Sequence, residues 1–305
     1  MAKAIPMTDE GQEPAVVIGG PTASGKSAMA LDLARRSGGE IISADSMQVY
    51  RGLEIGTAQP STEERREIPH HLVGCFDLEQ RWDASRFVPA AEELIRQIRG
   101  RGRLPIIVGG TGMYLKALCY GMTMLPGDAA IAAELREALL TAEGVAAMRE
   151  ELRRAVGDAS AIPADLWANP RRVARAVEVL RITGKPPWLL QPPQLHPRPG
   201  FRQLCLIPDF GWLKERIRRR TRQMLRDGWV EEAKIAIGRG LLSTPTAWQA
   251  LGYREIAQFL EGGGRGGQAA LAETLANRTI QYARRQLTWF KHQHPGAAVL
   301  HPENP

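Results

Sequence analysis

The chain has 305 residues, 44% hydrophobic and 24% charged, a globular balance that excludes wholesale disorder. That length fits one large α/β domain carrying an insertion, or two domains sharing a core. The net charge of +7 is concentrated: residues 1–125 hold 14 Lys and Arg against 15 Asp and Glu, residues 126–200 hold 10 against 9, and residues 201–305 hold 16 against 9, a distribution that suits a polyanionic partner.

From the N-terminus, AVVIG at 15–19 is a short apolar run closed by glycines, and 27–36 has helical spacing, so the chain opens strand, loop, helix. A second strand at 40–44 ends at Asp45, a helix covers 84–98, and a third strand at 104–108 ends in Gly109-Gly110-Thr111-Gly112. Alternating strands and helices predict a parallel sheet over the first 125 residues. The pattern then becomes helical: 129–154 is rich in Ala, Leu and Glu with a break near Gly144, and a further helix is announced by Asn169, Pro170 and a terminating Gly184. The proline-rich stretch 185–200, with Pro192 and Pro193 at its centre, reads as a connector and not a helix. A returning strand follows at 202–208, then helices at 212–227, 229–237, 247–260 and 269–292. The expected organisation is a core of residues 14–125 and 199–305 with a helical insertion at 126–198.

No apolar run approaches the roughly 20 residues that span a bilayer, and MAKAIPMTDEGQEP lacks an apolar signal region. Cys75, Cys119 and Cys205 are isolated, which argues against a disulfide framework or a zinc site. A reducing, cytoplasmic setting without a membrane is the expectation.

Gly20-Pro21-Thr22-Ala23-Ser24-Gly25-Lys26-Ser27 matches G-x-x-x-x-G-K-[ST] between a strand and a helix, the context that motif requires. Its backbone N–H groups curl around an anion, Lys26 reaches the outer phosphate and Ser27 holds Mg²⁺, so a diphosphate or triphosphate is the expected ligand. A hydrolase usually has an acidic residue at the end of a later strand, whereas 104–108 ends in Gly-Gly-Thr, which counts against a motor or GTPase. Asp45 has two readings, a proton acceptor for a nucleophile aimed at the phosphate compound or a cap for a helix over DSMQVY. Thr111 is either a hydroxyl facing the same anion or a turn residue. Among Arg216, Arg218, Arg219, Arg220, Arg222 and Arg226, most form a solvated face and one or two turn inward to a diphosphate. In the last helix, Arg284, Arg285 and Lys291 interleave with Tyr282, Trp289 and Phe290, which fits either a nucleic-acid grip or an aromatic core face.

GPTASGKS, ADSMQVYRGLEIGTAQPS, PHHLVG, IIVGGTGMYLKAL, NPRRVARAVEVLRITGKP, LGYREI and YARRQLTWFK occur in this order, and through them the chain resembles the tRNA dimethylallyltransferases from about residue 16 to 291. The resemblance implies a P-loop kinase-like core with a parallel sheet flanked by helices and a helical insertion domain that closes over tRNA. It implies transfer of a dimethylallyl group from dimethylallyl diphosphate to N6 of the adenosine 3′ of the anticodon, with Mg²⁺, by a monomer acting on a tRNA anticodon stem-loop. Asp45 would then accept the proton or hydrogen bond of the N6 amine, and Thr111 would bond the diphosphate near the breaking bond. Lys26, the 22–27 backbone and Arg220, with Arg216 as its alternate, would stabilise the leaving group. RNA contacts carried over by the resemblance are Asp45, Ser46, Met47, Gln48, Arg171, Arg172, Arg175, Gln249, Gly252, Tyr253, Arg254, Arg284, Arg285 and Lys291. Two departures stand out. Residues 127–133 are poor in Arg, with Ala133 near a position that is often Arg in the family, and the Cys/His extension of eukaryotic members is absent, which implies a bacterial type.

The rival readings are a P-loop nucleoside or small-metabolite kinase using ATP, an isopentenyltransferase acting on free adenine nucleotides, and an RNA-binding module with a vestigial P-loop.

Overall fold

A computed structural model describes residues 14–191, 195–294 and 296–303. The N-terminal stretch up to residue 13 and the Pro192–Pro193 pair lie outside them. The described residues divide into two compact units, one drawn from residues 14–121 and 196–303 and the other from residues 122–195.

The first unit is an α/β fold. It opens with β1 (Ala15–Gly19), α1 (Lys26–Ser37), β2 (Glu40–Ser43), α2 (Thr62–Glu67) and β3 (His70–His71). It continues with α3 (Ala84–Gly100), β4 (Pro105–Gly109) and α4 (Gly112–Tyr120). Among the described residues, six strands pair in parallel in the order β3-β2-β4-β1-β5-β6, β5 and β6 being the later strands Phe201–Leu206 and Ala298–Leu300. Every residue of β1, β2 and β4 is buried, as both-sided cover by helices requires. Val16, Ile18, Ile41, Ile106 and Val108 form one hydrophobic cluster with Ala30, Leu31 and Ala34 of α1. Because β1 lies between β4 and β5, the loop leaving its C-terminal end emerges amid the neighbouring strand ends, where open parallel sheets bind ligands.

The second unit holds α5 (Ala129–Ala138), α6 (Ala142–Val156), α7 (Pro170–Thr183) and α8 (Pro187–Leu190). Its core is Leu135, Met148, Leu152, Ile162, Leu166, Val173 and Val177. The break expected near Gly144 falls at residues 139–141 instead. Thr141 starts the new helix by accepting the Gly144 N–H at 3.0 Å, so Gly144 lies inside the first turn of α6. Asn169 caps α7 and Gly184 ends it in the left-handed region (φ 70°), as its sequence signals predicted. The connector is not wholly non-helical: Pro187 sits in the first turn of α8, the one helical position where proline costs nothing.

After β5 the first unit continues with α9 (Phe210–Arg226), α10 (Trp229–Gly238), α11 (Tyr253–Glu261) and α12 (Gly267–Gln293). Buried Leu213, Ile217, Thr221 and Met224 recur at helical spacing on α9, and Leu213 and Ile217 cluster with Ala23 and with Ala283 of α12. The single helix expected over 247–260 is two pieces. A 3₁₀ turn at Ala247–Gln249 ends in the cap at Ala250, and Gly252 (φ 94°) reopens the chain into α11.

At the opposite end of β2 from the P-loop face, Glu40 is 2% exposed and receives hydrogen bonds from Arg101 (2.7 and 3.1 Å) and His71 (2.7 Å). Burial alone would raise this carboxyl, but the Arg101 and His71 bonds outweigh it and hold it below the usual glutamate value. Its stabilisation is therefore complete above the ordinary carboxylate pKa and is lost as pH falls through the lowered value. Glu40→Gln should cost ~1–2 kcal/mol at neutral pH, a figure reduced by the solvent around Arg101, and the gap to wild type should narrow in acid; thermal unfolding at the two pH values measures both.

Candidate active site

The P-loop leaves β1 at Gly20 and enters α1 at Lys26. Ala23 adopts a left-handed conformation (φ 63°), which a non-glycine residue holds only when its surroundings over-determine it. Those surroundings come from α9: the Arg216 Nε donates to the Ala23 carbonyl at 2.9 Å, and Arg220 donates to the Thr22 hydroxyl. Two loop N–H groups are already engaged, Thr22 by Gln286 Oε1 at 2.9 Å and Ser24 by the Pro21 carbonyl at 3.3 Å. Thr22 therefore joins an anion cradle through its side chain and not through its backbone N–H. The N–H groups of the first turn of α1, Lys26 to Ala28, have no acceptor within the helix, which leaves them facing the space where an anion would bind.

Lys26 donates to the Pro21 carbonyl at 3.2 Å. Desolvation lowers its pKa to about 8, with Asp45 opposing the shift and Arg220 adding to it. Desolvation likewise lowers Arg220, to about 10, again against the pull of Asp45 and with the help of Arg216. Two partly buried cations thus share one carboxylate, an excess of positive charge that an anion would balance.

Asp45 follows the end of β2, where the Ala44 N–H still pairs with the Val108 carbonyl at 2.8 Å. Residues 46–50 form turns, not the helix considered over DSMQVY. Asp45 Oδ1 accepts the N–H groups of Met47 (2.9 Å) and Gln48 (3.3 Å), which pins the carboxylate in place. Thr111 stands behind this turn. Its hydroxyl accepts the Ser46 N–H at 3.0 Å and lies 3.4 Å from the Ser46 hydroxyl, and Thr111 does not line the cavity described next.

A cavity of about 320 Å³ brings Asp45, Thr22, Arg220 and Arg285 together with the apolar side chains of Met47, Met224, Trp229 and Tyr282. Outside the P-loop lies a depression of about 470 Å³ lined by Lys26, Ser27, Arg216, Arg219 and Arg220. Arg220 borders both spaces, so the cationic loop separates an amphipathic chamber from an open, basic one. Two further contributors shape the cavity: Gln48, carried over as an RNA contact, spends its side chain on the protein instead, and Glu232 was not read from the sequence. Gln48 reaches from Ser43 (2.8 Å) to the carbonyls of Thr57 (3.2 Å) and Ala58 (2.9 Å), holding a cavity wall. Glu232 accepts the N–H groups of Ile55 (2.6 Å) and Gly56 (2.8 Å) and the Tyr253 hydroxyl (2.6 Å).

Of the arginines on α9, Arg216 and Arg220 turn to the loop. Arg219, Arg222 and Arg226 are exposed, and Arg218 pairs with Glu215. On α12, Trp289 packs on Gly112 and Phe290 on Gly19, so these aromatics serve the core, whereas Tyr282 and Arg285 face the cavity. Arg284 lies over the Phe210 ring (4.7 Å), and Lys291 is exposed.

Of the remaining residues carried over as RNA contacts, Ser46, Met47 and Gln249 line the cavity, and exposed Arg254 stacks over Trp248 at 5.0 Å. Gly252 and Tyr253 are corrected: both are buried, Tyr253 fully, and a Cβ on Gly252 would sit 2.3 Å from Trp229. They support the wall through Glu232 and Trp229 and present no surface to RNA. Arg171, Arg172 and Arg175 belong to α7 of the second unit, where Arg171 is exposed, Arg172 pairs with Asp165, and Arg175 with Glu178.

The family model described as "IPP transferase" matches residues 48–293, and "Isopentenyl transferase" matches residues 14–70. The chain belongs to the IPP transferase family. It is 42% identical to the tRNA dimethylallyltransferase of Thermus thermophilus, over 94% of this chain and 92% of the relative. It is 45% identical to that of Halorhodospira halophila, over 93% and 91%. Among solved structures, the tRNA isopentenylpyrophosphate transferase of Bacillus halodurans is similar with a TM-score of 0.66 and 36% identity, covering 95% of this chain and 90% of that one. A eukaryotic dimethylallyltransferase acting on tRNA has a TM-score of 0.76 at 26% identity, covering 94% and 73%. Family membership agrees with the α/β core and with the strand-end Gly-Gly-Thr that spoke against a hydrolase.

Because Lys26 must be protonated to hold an anion, inorganic diphosphate should bind more weakly as pH rises through about 8. In Lys26→Arg that fall should move to higher pH; calorimetric titration of diphosphate across the range checks it.

Proposed function

We infer that this IPP transferase family member transfers a dimethylallyl group from dimethylallyl diphosphate to N6 of the adenosine 3′ of the anticodon in tRNA. It releases diphosphate and acts as a monomer in the cytoplasm. The observation that carries this reading is the junction of a cationic P-loop with an amphipathic cavity holding one pinned carboxylate. A prenyl diphosphate has this same division, a polyanion joined to a small apolar group.

In the reaction, the adenine N6 amine forms a bond to C1 of the allylic group while the C1–O bond breaks. The bonding pair leaves with the diphosphate, and the N6 proton passes to Asp45. Negative charge grows on the departing oxygens, where Lys26, Arg220, the Thr22 hydroxyl and the α1 N-terminus lie ready to meet it without reorganisation. Met47, Met224, Trp229 and Tyr282 exclude water from the electron-poor allylic carbon. Thr111 acts one step back, holding Ser46 beside Asp45.

Ser27 is exposed at the start of α1 and offers a hard hydroxyl oxygen beside Lys26. Ser27 and the diphosphate oxygens are the donors that would hold Mg²⁺, a hard cation that takes oxygen ligands. Bound there, Mg²⁺ would neutralise charge on the leaving group.

The adenosine must leave its stack to enter the cavity, which is easier in a loop than in a duplex. Arg285, Gln249 and the 45–47 turn line the cavity that receives it, while Arg254, Arg284, Lys291 and, in the second unit, Arg171 offer exposed charge to the RNA backbone.

Incubation with total tRNA and either labelled dimethylallyl diphosphate or labelled ATP tests the reading against a kinase. Label should enter RNA from the prenyl donor alone, on adenosine, and its appearance on small molecules from ATP would overturn the assignment.

A further inference from the structure

Gln286 lies on α12, one turn beyond Tyr282 and between the residues whose charges and rings were read for RNA. Its side chain is 7% exposed and both ends of its amide are used. Oε1 accepts the Thr22 N–H of the P-loop at 2.9 Å, and Nε2 donates to the Gly110 carbonyl at 2.8 Å. A backbone N–H only donates and a carbonyl only accepts, so these partners fix the orientation of the amide. Tyr282, one turn earlier on the same helix, lines the cavity. Around it α12 is seated tightly: Trp289 fills the space that a side chain on Gly112 would need.

The two loops that Gln286 joins carry opposite halves of the chemistry. The Thr22 hydroxyl is held by Arg220 in the loop that receives the diphosphate. Gly110 precedes Thr111, whose hydroxyl holds Ser46 next to Asp45. We propose that Gln286 is a positioning residue that sets the distance between the diphosphate loop and the proton acceptor, so that bond breaking and proton removal act on one bound adenine. This rests on the prenyl-transfer reading. A group with the same shape but no polar atoms would leave a buried N–H and a buried carbonyl unpaired and free the two loops to drift. Ionised glutamate would keep the Thr22 bond and repel the Gly110 carbonyl. Protonated glutamate would donate to that carbonyl and restore both bonds.

The test compares wild type, Gln286→Leu and Gln286→Glu, measuring kcat, tRNA affinity and melting temperature between about pH 6 and pH 9. The expected result is a kcat reduced about tenfold or more in Gln286→Leu, with tRNA affinity within about twofold of wild type. Gln286→Glu should regain activity relative to wild type as pH falls and its carboxyl takes up a proton. If Gln286→Leu does not fold, the pH profile of Gln286→Glu carries the test alone. Folded variants with kcat within about twofold of wild type, or a glutamate variant whose pH profile runs parallel to wild type, would overturn the proposal. Absence of RNA prenylation by the wild-type protein would remove the reading beneath it instead, so the two failures are distinguishable.

Discussion

The architecture of this site follows from an electrostatic imbalance. Lys26 and Arg220 are partly buried beside a single carboxylate, Asp45, and desolvation pulls both of their pKa values down. Such a cluster is costly until an anion enters, and that cost is what makes it selective for one. The position of β1 between β4 and β5 puts the P-loop at the confluence of strand ends. The spacing of Arg216 and Arg220, one turn apart on α9, lets one helix both brace the Ala23 carbonyl and reach the Thr22 hydroxyl.

The same imbalance explains why the cavity beyond the loop is amphipathic. A leaving diphosphate needs cations, an allylic carbon needs dry walls, and an amine nucleophile needs an acceptor. In the proposed reaction Thr22 and Arg220 would meet the first need, Trp229, Met224 and Tyr282 the second, and Asp45 the third; all of them line one cavity. Its walls depend on polar groups farther out. Gln48 and Glu232 hold the 55–58 backbone by four hydrogen bonds, and Glu232 also accepts the Tyr253 hydroxyl, so the cavity's shape rests on paired, partly buried polar groups as much as on packing.

The half of this that is local was legible in the sequence. The P-loop, the alternation of buried strands and helices, and the Asn169, Pro170 and Gly184 signals all lie within a few residues of what they specify. The capping box of α2, Ser61 with Glu64, was equally local and went unread. What the sequence could not give is set by distant partners. Gln286 bonds residues 264 and 176 positions away, and Glu232 bonds residues 177 and 176 away. The charge count pointed to residues 201–305, and the expectation that one or two of the α9 arginines turn inward fits Arg216 and Arg220, whose partners on the loop only the structure supplies. Likeness of motif also misassigned Gly252 and Tyr253, because a recurring motif does not distinguish a residue that touches a substrate from one that supports a wall. Helices α8 and α11 were misjudged where proline and glycine act by position within a turn, a detail that composition does not carry.

In the proposed reaction Asp45 receives the proton of the attacking amine while the P-loop cations receive the leaving diphosphate. Single-turnover prenyl transfer by Asp45→Asn measures it most directly, since asparagine keeps an oxygen for the Met47 and Gln48 N–H groups and so preserves the turn. The rate of transfer should fall by about 10²–10⁴ while tRNA and diphosphate still bind. A rate close to wild type, with both substrates bound, would contradict it.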